Sequence, residues 1–523
     1  MPRPEVRKRG SISQLMVDGE PFIALAGELH NSSASSPAYM SDVWDRLQRW
    51  HLTTVIGTAC WDLTEPEEGV YDFTVIDDQI HQARQRGMRL IITWFGAFKN
   101  GESTYAPSWV RRDEARFPRA QKDPASTLTG RFPRKNPVLS LFGAELRKAD
   151  ARAFAALMRH ISGVDPRHTV VMVQVENEVG LLGDSRDRSA LARAAWEEPV
   201  PAALLDHFQA RADALHPHLR DLWDRQGRRT AGPWAEVFGT DGAADELFMA
   251  WSFGQYVEHV AAAGARCHPL PLFTNAWLGP HEGAPLPGLY PSGGPVSRLI
   301  DVWQAAAPTL GLLAPDIYIP EFEDTLAAYR HAGNPILIPE TRVDAGNLFV
   351  ALGEYSAIGY APFGVEDGPE GHEIFEAYRV LAGMTQVIAA AQTEGRIRGT
   401  RLAPGARVEL ALGDITVTVA GPFSTLGLFG PGTGADTTDS DRGYALLIRL
   451  GPEELLVVGK GVNLDFQAGG LPVEIDSARE GQFIQGTWVP GRSLNGDERF
   501  FLFPNDELRV VRIGLLRRTG PSE

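Results

Sequence analysis

Eight short, almost continuously apolar segments recur along the first 370 residues, and longer amphipathic segments separate them. Parallel strands that helices cover on both faces have this continuous apolar character, in contrast to the alternation of half-exposed strands. The separating segments, such as 41–50, 75–87 and 149–161, have the apolar periodicity of helices. Eight strands alternating with helices are typical of a (β/α)8 (TIM) barrel. The apolar segments are FIALAGELH (22–30), TTVIGTACW (53–61), RLIITWFGAF (89–98), VVMVQVENE (170–178), PLFTNAW (271–277), GLLAPDIY (311–318), PILIPE (335–340) and GYAPFGVE (359–366).

Polar or aromatic side chains stand at the C-terminal end of each of these segments. Enzymes with this fold build their active sites at that end of the barrel. A single polar strand end carries little information, whereas eight together favour a shared site. The residues are Glu28, His30, Trp61, Trp94, Asn177, Glu178, Asn275, Trp277, Asp316, Tyr318, Glu340 and Glu366.

The pattern changes after about residue 395, where short alternating segments are separated by Gly, Pro and Asp turns. This is typical of a small antiparallel β domain. We therefore predict a catalytic barrel over residues 1–395 and a C-terminal β-sandwich-like domain over residues 396–523. The glycine-rich segment GPGTGADTTDSD (430–441) does not follow a strand and open a helix, which argues against a nucleotide-binding loop.

Composition and charge exclude several classes of protein. Asp and Glu number 66 against 50 Lys and Arg, a net charge of −16, which disfavours nucleic acid and anionic membranes as partners. The chain has no run of about 18 apolar residues, and its basic N-terminus lacks the apolar stretch of a signal peptide, so we expect a cytoplasmic protein. Cys60 and Cys267 are too few for a disulfide framework or a protein-only zinc site. No H-E-x-x-H motif occurs either, so we expect no metal.

The segment VQVENEVG (173–180) carries the most informative carboxylates. Strand side chains alternate, but the alternation fails at the last residue of a strand, so we expect Asn177 and Glu178 at the rim and Glu176 lower in the barrel. Glu340 ends the seventh strand. Two glutamates on one rim are what glycoside hydrolysis uses: one protonates the leaving oxygen, and the other attacks the anomeric carbon or activates water. The alternative for Glu340 is a structural ion pair with Arg342.

These motifs resemble those of a known family. VQVENEVG resembles the VQVENEYG of glycoside hydrolase family 35, the β-galactosidases, within the clan of retaining (β/α)8 glycosidases. GTACWDLTEPEEGVYDF (57–73) is similar to that family's W-N-x-H-E-P-x-x-G-x-Y-x-F stretch, and LAGELHNSS (25–33) to its S-G-x-x-H-Y opening. WFGAFKNGES (94–103), followed by APSWV (106–110), resembles a bacterial branch that removes galactose from plant oligosaccharides and polysaccharides. The resemblance covers most of residues 15–370.

The resemblance implies roles for individual residues. Glu178 would be the acid/base, Glu340 the nucleophile, and Asn177 a hydrogen-bond donor to the sugar 2-hydroxyl. Tyr318 would contact the nucleophile, as a tyrosine does throughout the clan. The other residues expected to bind substrate are Trp61 and Glu65, which match the motif after the second strand, and His30, Trp94, Asn100 and Trp277, which lie at strand ends. The chain departs from the family at Asp62 and Thr64, where an Asn and a His are usual, and at Lys99 and Asn100, where a sugar-binding Glu is usual.

We therefore expect a retaining exo-β-galactosidase that removes terminal β-D-galactosyl residues from oligosaccharides or polysaccharide side chains by double displacement. Its partner would be a carbohydrate, and it would need no cofactor, because protonation and a carboxylate nucleophile suffice to cleave an acetal. Two alternatives are another retaining β-glycosidase of the clan, specific for glucose, fucose or arabinose, and a carbohydrate-binding protein without catalysis. The presence of both glutamates favours the enzyme. Homo-oligomerisation is left open.

Overall fold

The computed structural model describes residues 2–126, 128, 138–403, 405–421, 442–484 and 486–517. The glycine-rich segment 430–441 lies outside this part of the chain. A three-stranded antiparallel sheet comes first, with strands β1 (Glu5–Arg9), β2 (Ile12–Val17) and β3 (Glu20–Phe22).

Eight parallel strands then close into a barrel, which confirms the predicted (β/α)8 fold. Six of the strands lie within one of the eight apolar segments, and β6 and β10 each extend one residue beyond theirs. The barrel closes where β4 pairs with β11, with Ala24 opposite Gly359. The barrel strands are β4 (Ala24–Glu28), β5 (Thr54–Cys60), β6 (Arg89–Lys99), β7 (Val170–Asn177), β8 (Leu272–Trp277), β9 (Leu312–Ile317), β10 (Ile338–Thr341) and β11 (Gly359–Pro362).

Helices cover the outside of the barrel, and several begin at residues with clear capping chemistry. Ser36 accepts a hydrogen bond from the Tyr39 amide ahead of Pro37, and Asp241 accepts from the amides of Ala243 and Ala244. The helices are α1 (Pro37–Arg49), α2 (Trp61–Thr64), α3 (Thr74–Gln85), α4 (Ser108–Arg112), α5 (Ala144–Val164), α6 (Ala190–Glu197), α7 (Ala202–Ala210), α8 (Pro217–Asp224), α9 (Trp234–Phe238), α10 (Gly242–Ala265), α11 (Ile300–Ala306), α12 (Phe322–Tyr329), α13 (Ala345–Gly353), α14 (Glu373–Ala382) and α15 (Thr385–Thr393).

The two ends of the barrel interior differ in chemistry. Side chains from the beginnings of the strands, such as Ile56, Ile91 and Phe273, form an apolar cluster that Leu15 and Val17 of β2 join. The far halves of the strands carry buried polar residues instead. Because the N-terminal end is packed with apolar side chains, the polar chemistry is confined to the C-terminal end of the barrel.

The C-terminal strands form one nine-stranded antiparallel sheet. Its chain path turns from α15 into β12 just after residue 395. Strands β12 and β13, at the two ends of the sheet order, contact each other, so the sheet curves around its own core, which includes Leu402, Val417, Leu447 and Val511. The strands are β12 (Ile397–Leu402), β13 (Arg407–Leu412), β14 (Ile415–Ala420), β15 (Gly443–Gly451), β16 (Glu454–Lys460), β17 (Asn463–Ala468), β18 (Leu471–Ile484), β19 (Thr487–Ser493) and β20 (Arg509–Arg517).

Helix α13 packs against β12 and β15, and the rings of Phe349 and Tyr444 lie 4.8 Å apart across this contact. No helix in the described ranges combines the length and the apolar character needed to cross a membrane.

Candidate active site

The end of β7 has an unusual backbone. Glu176 and Glu178 have φ values of 63° and 46°, in the left-handed region that residues other than glycine rarely adopt. The turn places Asn177 and Glu178 at the rim, as predicted. The expectation that Glu176 would lie lower in the barrel is wrong: its carboxylate points outward and accepts hydrogen bonds from the backbone amides of Ala97 and Phe98 in β6. The left-handed conformation, which a simple strand alternation does not include, causes the difference.

Glu178 is buried in a network that joins three neighbouring strands. Its backbone amide donates to Asn275 Oδ1 at 2.8 Å. The Asn275 amide group in turn donates to Asn177 Oδ1 at 3.0 Å and to Asp316 Oδ2 at 2.7 Å. Asp316 also hydrogen-bonds to the Glu178 carboxyl group. The network fixes the position of Glu178 through side chains of β8 and β9.

Glu340 lies opposite, at the end of β10. The Tyr318 hydroxyl donates to Glu340 Oε1 at 2.5 Å, as the resemblance implied. Glu28, at the end of β4, makes a second side-chain hydrogen bond to Glu340. The alternative ion pair with Arg342 is not formed among the described residues, where the Arg342 side chain is exposed.

The carboxyl groups of Glu178, Asp316 and Glu340 are close together, and one oxygen of each lies within 4.8 Å of the others. Carboxyl groups about 5–5.5 Å apart are typical of retaining glycosidases, whereas inverting enzymes leave room for a water. In the described part of the chain this is the one group of acidic, His or Cys side chains near enough to ligate an ion. Asp316 is joined to Glu178, whereas Glu340 is joined to Tyr318 and Glu28, so the two candidate catalytic carboxyl groups have separate hydrogen-bond partners.

Two carboxyl groups of the site favour the protonated form. Asp316 Oδ1 and Glu28 Oε2 are buried and accept no hydrogen bond from any described residue. A hydrogen bond between two carboxyl groups requires one proton, and burial raises the pKa of both Asp316 and Glu28 well above the usual range. We therefore assign Asp316 as the donor to Glu178 and Glu28 as the donor to Glu340.

The candidate pair itself is asymmetric. Burial, and then the negative charge of Glu340, raises the pKa of Glu178 to about 7. Burial also raises the pKa of Glu340, but the Tyr318 hydroxyl, the Lys99 charge and the bond from Glu28 oppose this rise. Glu340 therefore has more groups stabilising its ionised form, and Glu178 is the better proton donor near neutral pH.

Lys99 supplies positive charge to this acidic site. It is buried, its ammonium group donates to Asn100 Oδ1 at 2.8 Å, and it lies 4.7 Å from the centre of the Phe95 ring. Its charge lowers the pKa of Glu28, Glu178 and Glu340.

Asn100 also lies at the site, because Asn177 Nδ2 donates to its Oδ1 at 3.0 Å. The other predicted substrate-binding residues differ in position. His30 is partly exposed at the rim and bonds to Asp367 at 2.7 Å. Trp277 ends β8 and is partly buried. The Trp61 indole donates to Glu65 at 2.8 Å, and neither residue has exposed surface, so this pair stabilises the loop after β5.

Trp94 does not belong to the site. It is completely buried on the outer face of β6, where its indole donates to Asp150 of α5 at 2.8 Å and packs against Phe154. The prediction failed because side chains at positions 90, 92 and 94 of β6 face the helices. No substrate reaches that layer.

Sequence reasoning also missed three residues of the site. Glu28 and Asp316 were recognised as polar strand ends without a role, and Lys99 only as a departure from a family motif. The signal for the two acids was their position next to His30 and Tyr318 at strand ends. Their hydrogen bonds to Glu340 and Glu178 depend on barrel closure and are not visible in the order of residues.

A cavity of about 680 Å³ lies beside β9 and β10, and Tyr318, which donates to Glu340, is one of its lining residues. Thr341, Arg342, Arg401 and Arg442 also line it, whereas the carboxyl groups of the site do not. This volume is within the range of small-molecule sites.

Comparisons with known proteins point to glycosidases. Residues 35–203, about a third of the chain, match the family model described as Beta-galactosidase, that of glycoside hydrolase family 42. The match includes Asn177 and Glu178 and ends before Glu340. Residues 374–504 match a domain of unknown function (DUF5597), a range that crosses the predicted domain boundary at residue 395. No curated protein matches the sequence.

Solved structures of β-galactosidases are similar to the chain at low identity, and the match spans less than two thirds of each of their lengths. The β-galactosidase from Bacillus circulans sp. alkalophilus has 15% identity and a TM-score of 0.47, over 72% of this chain and 58% of that one. A GH42 β-galactosidase from G. stearothermophilus has 15% identity and a TM-score of 0.45, over 73% and 58%. The β-galactosidase from Rahnella sp. R3 has 13% identity and a TM-score of 0.44, over 70% of this chain and 57% of that one.

The matching family model supports the predicted clan of retaining (β/α)8 glycosidases. It gives no support to family 35 in particular, the family that the sequence motifs resemble.

Proposed function

We propose that this chain is a retaining exo-β-galactosidase that removes terminal β-D-galactosyl residues from oligosaccharides or polysaccharide side chains. The observation that carries the proposal is the close approach of two unequal carboxyl groups on one rim: Glu178 and Glu340 have oxygens within 4.8 Å, and the pKa of Glu178 is raised to about 7. The match of residues 35–203 to a β-galactosidase family model supports the choice of sugar.

In the first step, Glu340 attacks the anomeric carbon while the Glu178 proton passes to the glycosidic oxygen, and the aglycone leaves as an alcohol. The hydrogen bond from Tyr318 keeps Glu340 ionised before attack. The product is a glycosyl ester of Glu340, and Glu178 is left as a carboxylate.

In the second step, Glu178 takes a proton from water while the water oxygen attacks the anomeric carbon and the ester bond to Glu340 breaks. Both carboxyl groups return to their starting protonation states, so the cycle balances without a cofactor. Asn177, held between Asn100 and Asn275, is positioned to bind the sugar beside Glu178. We assign the aglycone to the cavity beside Tyr318, and His30 and Trp277 to the surrounding rim.

A panel of nitrophenyl glycosides tests the proposal. We expect the β-D-galactoside to be hydrolysed fastest, and proton NMR to detect the β-anomer as the first product, because two inversions retain configuration. Faster hydrolysis of the β-glucoside, β-fucoside or α-arabinoside would change the proposed sugar specificity, and the proposed glycoside hydrolysis would still stand. The α-anomer as the first product would overturn double displacement.

Complete inactivity towards all the glycosides, with sugar binding detected by calorimetry, would favour a carbohydrate-binding protein. The predicted cytoplasmic location and lack of a nucleic-acid partner rest on composition and stay predictions.

A further inference from the structure

A second pair of buried carboxyl groups lies outside the barrel, directly behind the candidate active site. Glu176 of β7 meets Asp150 of α5, and both carboxyl groups accept from the same backbone amide, that of Ala97. Burial, and then the charge of Asp150, raises the pKa of Glu176 well above its usual range. The Ala97 amide lies 3.1 Å from Glu176 Oε1 and 3.2 Å from Asp150 Oδ2, and the Phe98 amide donates to Glu176 Oε2 at 2.8 Å. The pair is therefore bonded to two consecutive amides of β6.

Asp150 is held in place from two further directions. The Trp94 indole donates to Asp150 Oδ1 at 2.8 Å, and the Tyr256 hydroxyl of α10 donates to Asp150 Oδ2 at 2.8 Å. All of these side chains are buried. A buried polar network that satisfies its donors in this way is rigid.

The amides bound by the pair belong to an irregular part of β6. Trp94 pairs with Val175 of β7, but the next pairing joins Lys99 to Asn177. Four residues of β6, 95–98, therefore lie opposite Glu176 alone. A bulge of this kind redirects the side chains that follow it, and here the next side chain is Lys99.

The fit at the bulge is tight. A Cβ atom on Gly96 would lie 2.4 Å from Glu176 Oε1, 2.5 Å from Trp94 Nε1 and 2.8 Å from Asp150 Oδ1. Only glycine lets the β6 backbone approach the carboxyl pair this closely. The carboxyl pair, the bulge and the glycine thus form one arrangement, which ends at Lys99.

We propose that Glu176, supported by Asp150, is a positioning residue that fixes the β6 bulge and so directs the Lys99 ammonium group towards Glu178 and Glu340. This inference rests on the proposed function, because its effect is exerted on the two candidate catalytic groups. Glu176 itself cannot touch a substrate, since it lies on the opposite side of the barrel wall.

The consequence is a pH effect with a definite sign. The Lys99 charge lowers the pKa of both Glu178 and Glu340, so loss of its position raises both. The groups that face Glu178 and Glu340 are Glu28 from β4, Lys99 from β6, Asp316 from β9 and Tyr318 after β9. Those that face Glu176 and Asp150 are Tyr256 and His259 from α10, and Arg147 of α5 lies near both of these α10 residues. Among these groups, only the displacement of a cation from the site raises the pKa of Glu178 and of Glu340 together. The acidic and the basic limb of the pH–activity profile then both move to higher pH.

The test compares pH profiles of kcat/KM for wild type, Lys99→Met, Glu176→Gln and the double variant. We expect Lys99→Met to move both limbs up by about one pH unit, the effect of removing one nearby opposite charge. Glu176→Gln should move both limbs in the same direction, because it cannot accept both amides of the bulge. The double variant should move no further than Lys99→Met, since a misplaced bulge has no effect once the ammonium group is gone.

Asp165→Asn is the matched control. Asp165 is also a buried carboxylate, and it accepts the Val170 amide at 2.7 Å at the opposite end of β7. This variant should lose stability without a shift of either limb. If Glu176→Gln is not recovered folded, Tyr256→Phe removes one support of Asp150, and we expect an upward shift of both limbs here too.

Suppose that Lys99→Met moves both limbs of the pH profile. The inference would then be overturned if Glu176→Gln, or Tyr256→Phe in its place, left both limbs at their wild-type positions. A double variant that moves beyond Lys99→Met would also overturn it. Wild-type protein that hydrolyses no glycoside would instead count against the proposed function, so the two failures are distinct.

Discussion

The Tyr318 hydroxyl donates a 2.5 Å hydrogen bond to Glu340 Oε1, across the gap between the ends of β9 and β10. A hydrogen bond to the charged form of a carboxyl group stabilises that form, and this bond opposes the rise in the Glu340 pKa that burial causes. A nucleophile buried among other acids needs such a donor to remain ionised. The relationship joins a residue of the cavity wall to the atom that we expect to attack the sugar.

Tyr318→Phe therefore should weaken the nucleophile without removing it. A hydrogen bond to a charged group contributes about 1.5–3 kcal/mol, so we expect kcat to fall ~10- to 100-fold. The Glu340 pKa should rise, which moves the acidic limb of the pH profile to higher pH. Steady-state kinetics over pH measure both effects, and an unmoved acidic limb would argue that another residue is the nucleophile.

The proton held by Glu178 should define the basic limb. Because its pKa is raised to about 7, activity should fall as the pH rises through that value and Glu178 loses its proton. Glu178→Ala should lower kcat for a substrate with a poor leaving group by about 10²- to 10⁴-fold and abolish this limb. Retention of the limb in Glu178→Ala would assign the acid to a different group.

Azide rescue separates the two roles. With Glu178→Gly and an activated aryl galactoside, the first step proceeds and the intermediate accumulates, because no base activates water. Azide needs no deprotonation, so it should restore turnover and yield the β-galactosyl azide. With Glu340→Gly, azide should enter the vacated space and yield the α-azide. Proton NMR distinguishes the two products, and the reverse outcome would exchange the roles of the two glutamates.

Substitutions of Asp316 test whether this carboxyl group is protonated. Asparagine at this position can still accept from Asn275 and donate to Glu178, so Asp316→Asn should leave the basic limb near its wild-type position. Asp316→Leu has no donor, and the Glu178 pKa should rise, because the bond from Asp316 lowers it. The basic limb then moves to higher pH. A shift of the basic limb to lower pH in both Asp316→Asn and Asp316→Leu would show that Asp316 acts through a negative charge and is not protonated.

The barrel was predictable from the sequence because its signal is local. Continuous apolar segments mark strands covered on both faces, and each of the eight segments overlaps one barrel strand almost completely. The direction of a side chain at a strand end was less predictable. Glu176 turns outward because its φ is 63°, and Trp94 belongs to the helix layer because it lies in the middle of β6, on the face towards the helices.

The proton-sharing contacts of the site were not predictable. Glu28 bonds to Glu340 and Asp316 to Glu178 only after distant strands meet, and each bond depends on burial of both partners. The position of the Lys99 side chain was not predictable either, because its direction depends on a bulge that residues 95–98 form against Glu176. Residue types at strand ends thus identified the place of the chemistry, and the folded geometry determined the state of each acid.

The pairing of β4 with β11 has a consequence for how the protein is made. These strands come from opposite ends of the barrel part of the chain; Glu28 ends β4, and Glu340 lies on β10, the strand next to β11. A ribosome must therefore release nearly all of that part before the two acids can meet, and contacts between such distant residues form slowly. The acid cluster is thus completed late during synthesis, and it is lost as soon as the seam opens on heating. Enzymatic activity should consequently report the integrity of this one seam earlier than spectroscopic measures of helix content do.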